Sequence, residues 1–375
     1  MSTNTNTNTN TNTDTSAPGR RSPHEIISIA TAFWTSKALL SAVEMGVFAE
    51  LVKGPISAGE LCARLGLKGR GASDFLDVLV SIGLLERSDD GVYRNTELAD
   101  AYLDPGKPAQ DISGYLEYLN SAFPAWSQMS AVLRSGDRLD FSEALRAAAD
   151  GGASTASGAV LTDADAEADT FGEAFASPEQ VTGFVRSMTG FSLGAHQALT
   201  SAFDWSEVRE VIDVGCSEGA FLGHVMAAHP HLTGTGFDLP QVADRFRVYL
   251  ESVGIADRVR FAPGDFFTDP LPSGDVLVMG HVLHDWNLDI KQMLIRKAYE
   301  ALRPGGSLLV YEMLVDDERR CNTTGMLTSL NVSLVSAGGL GYTGAECRAW
   351  LTEAGFREVS VTHLDGPEYM VVGTK

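Results

Sequence analysis

Basic charge is what this 375-residue chain has least of: 28 Lys and Arg stand against 49 Asp and Glu, a formal net charge of −21. Such a surface repels polyanions, and no long basic run offsets it, so nucleic acid is not an expected partner. Cysteine is also scarce. Cys62, Cys216, Cys321 and Cys347 lie far apart with no CxxC pair, which fits neither a disulfide framework nor a zinc site. No run of some 18 uninterrupted apolar residues is present, so no membrane span is expected. The opening segment, MSTNTNTNTNTNTDTSAPGRR, lacks the apolar stretch of a secretory signal. With these absences, a cytoplasmic protein is expected. The Thr/Asn repeat has almost nothing to bury against its ordering entropy, so residues 1–21 are expected to be a disordered tail.

The remainder is apolar enough for two packed domains. Ile26 to Leu51 carries apolar residues at helical spacing through Ile29, Phe33, Leu39, Leu40, Val43 and Phe48. Ser57 and Glu60 read as a capping box opening a short helix to Leu65; Gly66 breaks it, and a second helix covers Ala72 to Ile82. Leu84-Leu85, the turn Asp89-Asp90-Gly91 and Val92-Tyr93 then read as a small hairpin. Helix, turn, helix and hairpin make a winged helix. That motif often meets DNA, but its second helix offers Arg70 and then Asp74 and Asp77, little that phosphate would accept. A dimerisation role over 22–108 is the better reading. Region 109–204 reads as a helical linker that contributes to a pocket. It contains a long helix from Gly114 to Leu133, a mobile loop near 149–169 without core-forming period, and a helix restarting at Ser177-Pro178.

From Trp205 onward, strand and turn alternate with helix, and 205–375 reads as a Rossmann-like α/β domain. Glu210–Val214 is a strand ending in Gly215-Cys216-Ser217-Glu218-Gly219, and a second strand delivers Asp238, 25 residues after Asp213. This is the layout in which a ribose-bearing ligand crosses the strand ends, with Asp238 placed to accept both ribose hydroxyls. The same pattern also arises at an ordinary βα junction. A third strand from Arg258 to Phe261 ends at Gly264-Asp265-Phe266-Phe267, and a fourth, Asp275–Met279, empties into His281-Val282-Leu283-His284-Asp285-Trp286. Arg303–Gly306 reads as a turn and Ser307–Tyr311 as the fifth strand, with Glu312 at its end. Glu218 stands where a pyrophosphate would otherwise sit and no lysine follows, so a sulfonium cofactor, S-adenosylmethionine (SAM), suits this loop better than nicotinamide dinucleotide or ATP.

The motifs VIDVGCSEG, GFDLP, GDFF, HVLHDW and LRPGGSLLVYE resemble those of the caffeate- and acetylserotonin-type O-methyltransferases, and more closely the bacterial members that serve aromatic natural-product assembly. The resemblance spans roughly residues 26–373, and HDW after the fourth strand is its specific part. It implies a homodimer, SAM as methyl donor, a small aromatic substrate and a histidine base. His284 takes the base's place, with Glu312 orienting it and Asp285 shaping its loop. Gly215, Ser217, Gly219, Asp238, Leu239, Gly264, Asp265, Phe266 and Ser192 match cofactor contacts. Trp126, Met188, Asn331 and Tyr342 fall where substrate contacts or ordinary helix packing would place them, with Ser333 and Ser336 in the same stretch. Two positions depart from the pattern: a second carboxylate near the base falls at Gly341, and a lysine four residues before the base is Gly280. Methylation of a ring carbon, or a SAM-using decarboxylation or hydroxylation, therefore stays open beside transfer to oxygen. His281 and His284 are three apart, but no further ligand cluster accompanies them, so no metal is expected. His196 reads as a packing or interface residue.

Overall fold

The computed structural model describes residues 22–136, 138–139, 160–161, 175–336 and 338–375. The Thr/Asn-rich segment and most of the 149–169 stretch lie outside these residues. The N-terminal part opens with α1 (Pro23–Glu44), whose Ser22 and Glu25 form a reciprocal capping box, and α2 (Val47–Leu51). The apolar periodicity suggested one continuous segment, but Gly46 adopts a left-handed φ of 73° and turns the chain between the two helices. β1 (Ile56–Ser57), α3 (Ala58–Arg64), α4 (Ala72–Ser81), β2 (Leu85–Arg87), β3 (Val92–Asn95) and α5 (Glu97–Tyr102) complete the winged helix, its sheet ordered β1-β3-β2. Leu61, Leu76, Leu79 and Leu85 fill its core.

The expected 114–133 helix is two, α6 (Ser113–Trp126) and α7 (Met129–Ser135), with Pro124 inside the first near its end. β4 (Arg138–Leu139) pairs antiparallel with β5 (Val160–Leu161), a bridge the sequence did not suggest. α8 (Pro178–Phe191) packs on α6, and α9 (Leu193–Ala202) leads to the sheet.

The C-terminal domain runs β6 (Glu210–Val214), α10 (Ala220–Ala228), β7 (Thr233–Asp238), α11 (Ala243–Ser252), β8 (Val259–Pro263), β9 (Gly274–Gly280), α12 (Leu288–Ala301), β10 (Leu302–Glu312), α13 (Thr323–Val335), α14 (Gly344–Glu353), β11 (Arg357–His363) and β12 (Tyr369–Thr374). The strands form one sheet in the order β11-β12-β10-β9-β6-β7-β8. It is parallel except for β12, which runs antiparallel to both neighbours. Residues 303–306, expected as a turn, instead belong to β10, with a register irregularity between Leu302 and Ser307.

Both faces of the sheet are covered, as parallel strands require. Val276, Val278, Leu309 and Tyr311 enter one apolar cluster, while Leu277, Met279, Leu308 and Val310 enter the other. The fit is tight beside the first loop. A Cβ added to Gly236 would lie 2.3 Å from the Phe246 ring and 2.7 Å from Cys216 Sγ. Gly236→Ala is expected to destabilise the protein by about 1–3 kcal/mol, the cost of overpacking a filled core. Urea unfolding measures it directly.

Candidate active site

The carboxyl ends of β6, β7, β8 and β9 open into one cavity of about 1390 Å³, closed on the far side by α6, α8 and α13. Its lining holds four aspartates, Asp213, Asp238, Asp265 and Asp285, and no Lys or Arg among the described residues. A ligand presenting a pyrophosphate would find no countercharge here. One carrying positive charge would find several carboxylates. The remaining wall is mostly apolar and aromatic, with Tyr115, Trp126, Phe184, Met188 and Phe191 prominent.

Glu218, the acid on which the sequence argument leaned, is not in this wall. It is buried, accepts a hydrogen bond from Thr189 Oγ1 at 2.8 Å and pairs with Arg245 at 3.0 Å. The acidic character comes from the strand ends instead. Asp238 Oδ2 accepts the Ser217 N–H at 2.8 Å and Oδ1 accepts the Leu239 N–H at 2.7 Å, so its carboxylate is fixed at the end of β7 with acceptor capacity to spare. Burial pushes its pKa up to about 6 against those two hydrogen bonds. Asp213, which sequence reasoning left without a role, also lines the cavity, and burial beside Asp238 raises it to about 8. Gly215, Ser217, Leu239, Gly264, Asp265, Phe266 and Ser192 are brought to the same wall. Gly219 is not: its left-handed φ of 86° and the nearby Phe246 ring account for the glycine through chain geometry and packing.

The loop that carries His281, His284 and Asp285 follows from β9. His281 turns the chain at a left-handed φ of 53°, Leu283–Asp285 form one 3-10 turn, and the Asn287 side chain caps α12 by accepting the Ile290 N–H. The turn carries His284 under Glu312, at the end of the neighbouring strand β10. His284 Nδ1 lies 2.7 Å from Glu312 Oε2, and the His284 backbone N–H donates to Oε1 at 3.2 Å. That leaves Nε2 as the second ring nitrogen, 3.5 Å from Asp285 Oδ1. Burial pulls the imidazole pKa down, but the charges of Glu312 and Asp285 and the Glu312 hydrogen bond outweigh it, and it is pushed up to about 9. The same contact holds the buried Glu312 below the usual carboxylate range.

His281, His284 and Glu312 each offer a ligand atom within 4.8 Å of the others, a denser cluster than the sequence spacing suggested. The short His284–Glu312 contact commits a nitrogen and an oxygen of that cluster to each other. His281 meets a further buried carboxylate, Glu368, at 3.3 Å. His196 is buried in the cavity wall with Nε2 2.8 Å from the Tyr311 hydroxyl, and burial holds it well below its ordinary value. Tyr311 also explains one departure: a Cβ at Gly280 would lie 1.8 Å from its ring.

On the opposite wall Trp126 Nε1 donates to Asn331 Oδ1 at 3.1 Å, tying α6 to α13, and Met188 and Ser336 also line the space. Tyr342 does not. It is buried behind the loop against Trp350, because the chain turns away after Gly341, where an added Cβ would lie 2.6 Å from Ser329 Cβ. Ser333 is likewise outside the lining and donates to the Leu330 carbonyl.

Residues 161–357 match the family described as the O-methyltransferase domain, and residues 27–105 match the O-methyltransferase dimerisation domain. The chain is 40% identical over 356 residues to the tetracenomycin polyketide synthesis 8-O-methyl transferase TcmO of Streptomyces glaucescens, covering 95% of this chain and 97% of that one. It is 33% identical over 354 residues to the N,N-dimethyltransferase OxyT of Streptomyces rimosus, covering 93% and 96%. Human N-acetylserotonin methyltransferase, solved in complex with SAM, superposes with a TM-score of 0.80 at 26% identity over 96% of this chain and 99% of that one. Fold, cavity and these matches define a SAM-dependent methyltransferase, with a Rossmann-like catalytic domain behind a helical dimerisation domain. The chain belongs to the O-methyltransferase family.

Asp238→Ala removes a charged acceptor at the strand end and is expected to weaken SAM binding by roughly 1.5–3 kcal/mol, the range for hydrogen bonds to charged groups. Titration calorimetry on the folded variant checks this; unchanged affinity would take Asp238 out of the cofactor site.

Proposed function

We propose that the enzyme transfers the methyl group of SAM to a phenolic oxygen of a small aromatic natural-product intermediate, with His284 as general base. The observation that carries this reading is the His284–Glu312 contact at the cavity wall, 2.7 Å long and buried. SAM, when bound, supplies an electrophilic methyl group on a sulfonium. Asp238 would hold its ribose, Asp265 and Phe266 its adenine, and Ser192 its methionine end, with Gly215, Ser217, Gly264 and Leu239 supplying the surrounding wall. Trp126, Met188 and Asn331 would shape the space left for the acceptor. The polyketide-synthesis role in the name of TcmO supports an aromatic natural-product acceptor.

Proton transfer is well matched here. A phenol near pKa 10 and a free imidazole near 6.5 are several units apart, but a His284 pushed up to about 9 is within about a unit of the phenol. The cost is availability, since at pH 7 only about one imidazole in a hundred is neutral before substrate binds. Activity should therefore rise with pH toward 9. Nδ1 is committed to Glu312, so Nε2 takes the proton, and Glu312 stabilises the imidazolium that results.

A second reading is favoured by one finding. OxyT carries an N,N-dimethyltransferase name on a chain of nearly the same length, so acceptor chemistry varies among relatives. Methylation at nitrogen or at an activated ring carbon would use the same base. Incubation with methyl-labelled SAM and a phenolic panel, read by mass spectrometry and NMR, separates these outcomes from each other and from decarboxylation or hydroxylation.

The dimerisation domain supports a homodimer. α1 is long and apolar enough to cross a membrane by length and composition, yet it exposes Ile26, Ile29, Phe33 and Trp34 in the single chain, a face a second copy would cover. Sedimentation at micromolar concentration should give a dimer, and removal of residues 1–21 should not change it. A monomer of the full chain would overturn the assignment.

His284→Ala should leave SAM affinity nearly unchanged while lowering turnover by about 10²–10⁴-fold. Glu312→Gln should cost less and move the alkaline rise of the rate to lower pH, because the carboxylate that holds the imidazole up is gone. A more acidic phenol, ionised at the assay pH, should recover part of the loss in His284→Ala. Full turnover of that variant on the native substrate would remove His284 from the mechanism.

A further inference from the structure

Lys291 lies near the start of α12, just past the catalytic loop, and its side chain is buried although lysine rarely is. Its Nζ donates to the Leu340 carbonyl at 2.8 Å and lies 5.1 Å above the Tyr342 ring and 5.8 Å from the Trp350 ring. The segment it grips holds the catalytic loop from behind. The Leu340 N–H donates to the His284 carbonyl at 2.9 Å, and Ser336 Oγ donates to the Asp285 carbonyl at 2.6 Å. Gly339 N–H in turn donates to Ser336 Oγ at 3.1 Å. In the same stretch, the contact with Ser329 leaves Gly341 no room for a side chain.

We propose that Lys291 is a positioning residue for methyl transfer: its ammonium holds Leu340, whose N–H fixes the His284 carbonyl, and it adds a positive charge to the surroundings of the base. The inference rests on the proposed role of His284. The charged and titratable groups facing Lys291 are Glu312 from β10, Asp285 from the loop, Tyr342 just before α14, and Glu346 and Cys347 from α14. Those facing the His284 imidazole are Glu312, Asp285, Lys291 and the neighbouring His281. Glu312 and Asp285 pull the imidazole pKa up, and Lys291 pulls it down. Removing the cation must therefore raise it. Lys291 thus keeps the fraction of neutral base at working pH from falling further, while the carbonyl clamp keeps the loop in register.

The test uses the full chain with labelled histidine. The His284 imidazole is followed by NMR through a pH titration without SAM, its signal assigned by loss in His284→Gln. Lys291→Met removes charge and clamp together; Lys291→Gln removes the charge but keeps a donor for the Leu340 carbonyl. Both variants should move the His284 midpoint up by roughly half a pH unit or more, the scale expected for deleting one nearby buried charge. The alkaline rise of kcat should move with it. Lys291→Met should also lower kcat at its own optimum by about tenfold or more with KM for SAM unchanged, the signature of a misplaced base. Lys291→Gln should retain most of kcat there. If Lys291→Met does not fold, Lys291→Gln alone carries the charge test. An unmoved midpoint overturns the proposal, as does a lower melting temperature with kcat and midpoint both unchanged. A moved midpoint with kcat at the optimum intact in Lys291→Met overturns the positioning role. The midpoint is read without turnover, so failure of His284 as the base, seen as full turnover in His284→Ala, is a separate result.

Discussion

A carboxylate taken out of water must be given a cation or several donors, and Glu312 takes both from one residue. The His284 imidazole and the His284 backbone N–H each reach a different oxygen of it. This demand reaches outward through the architecture. It requires β9 and β10 to be parallel neighbours with Tyr311 beside Gly280, so that the strand after the loop ends beneath it. It requires the left-handed turn at His281, and it requires α12 to begin promptly at Asn287. Shifting β10 by one residue would send Glu312 to the other face of the sheet and leave the imidazole without its partner.

The cavity is organised by charge of one sign. Aspartates lie at the carboxyl ends of β6 and β7 and in the loops after β8 and β9, while Arg245 is spent on Glu218, and Arg260 and Arg303 on Glu210. The chain's acidic excess thus has a local counterpart. Burial raises Asp213 to about 8 and Asp238 and Asp285 to about 6, so near neutral pH Asp213 keeps its proton while the other two stay mostly ionised.

The first four strands and the order of motifs were legible because each run is short and leads into a glycine or a carboxylate, and Glu210–Val214 matches its predicted span residue for residue; β11 and β12 were not read. Periodicity saw less where a single residue decides. Gly46 and the Ser127-Gln128 step divide helices whose apolar spacing runs straight across the break. Side-chain direction was the harder problem. Glu218 and Tyr342 sit in the right segments but face Arg245 and Trp350, because the helices α11 and α14 bring those partners against them from the side away from the cavity. Lys291 and the His281–Glu368 pair carried no local signal, whereas His196, read as a packing or interface residue, is buried. Their burial exists only once distant strands and helices have closed around them.

The cavity has two kinds of wall, and the hydrogen bond between Trp126 and Asn331 belongs to the second. One is built from strand ends and holds the buried His284–Glu312 contact, where a side chain can change only if its buried partner changes with it. The other is built from α6 and α13, helices from opposite halves of the chain, and holds mainly shape. Substitutions there can enlarge or narrow the chamber without disturbing the imidazole. Change on the helical wall is therefore free of the pairing constraint that binds the strand-end wall.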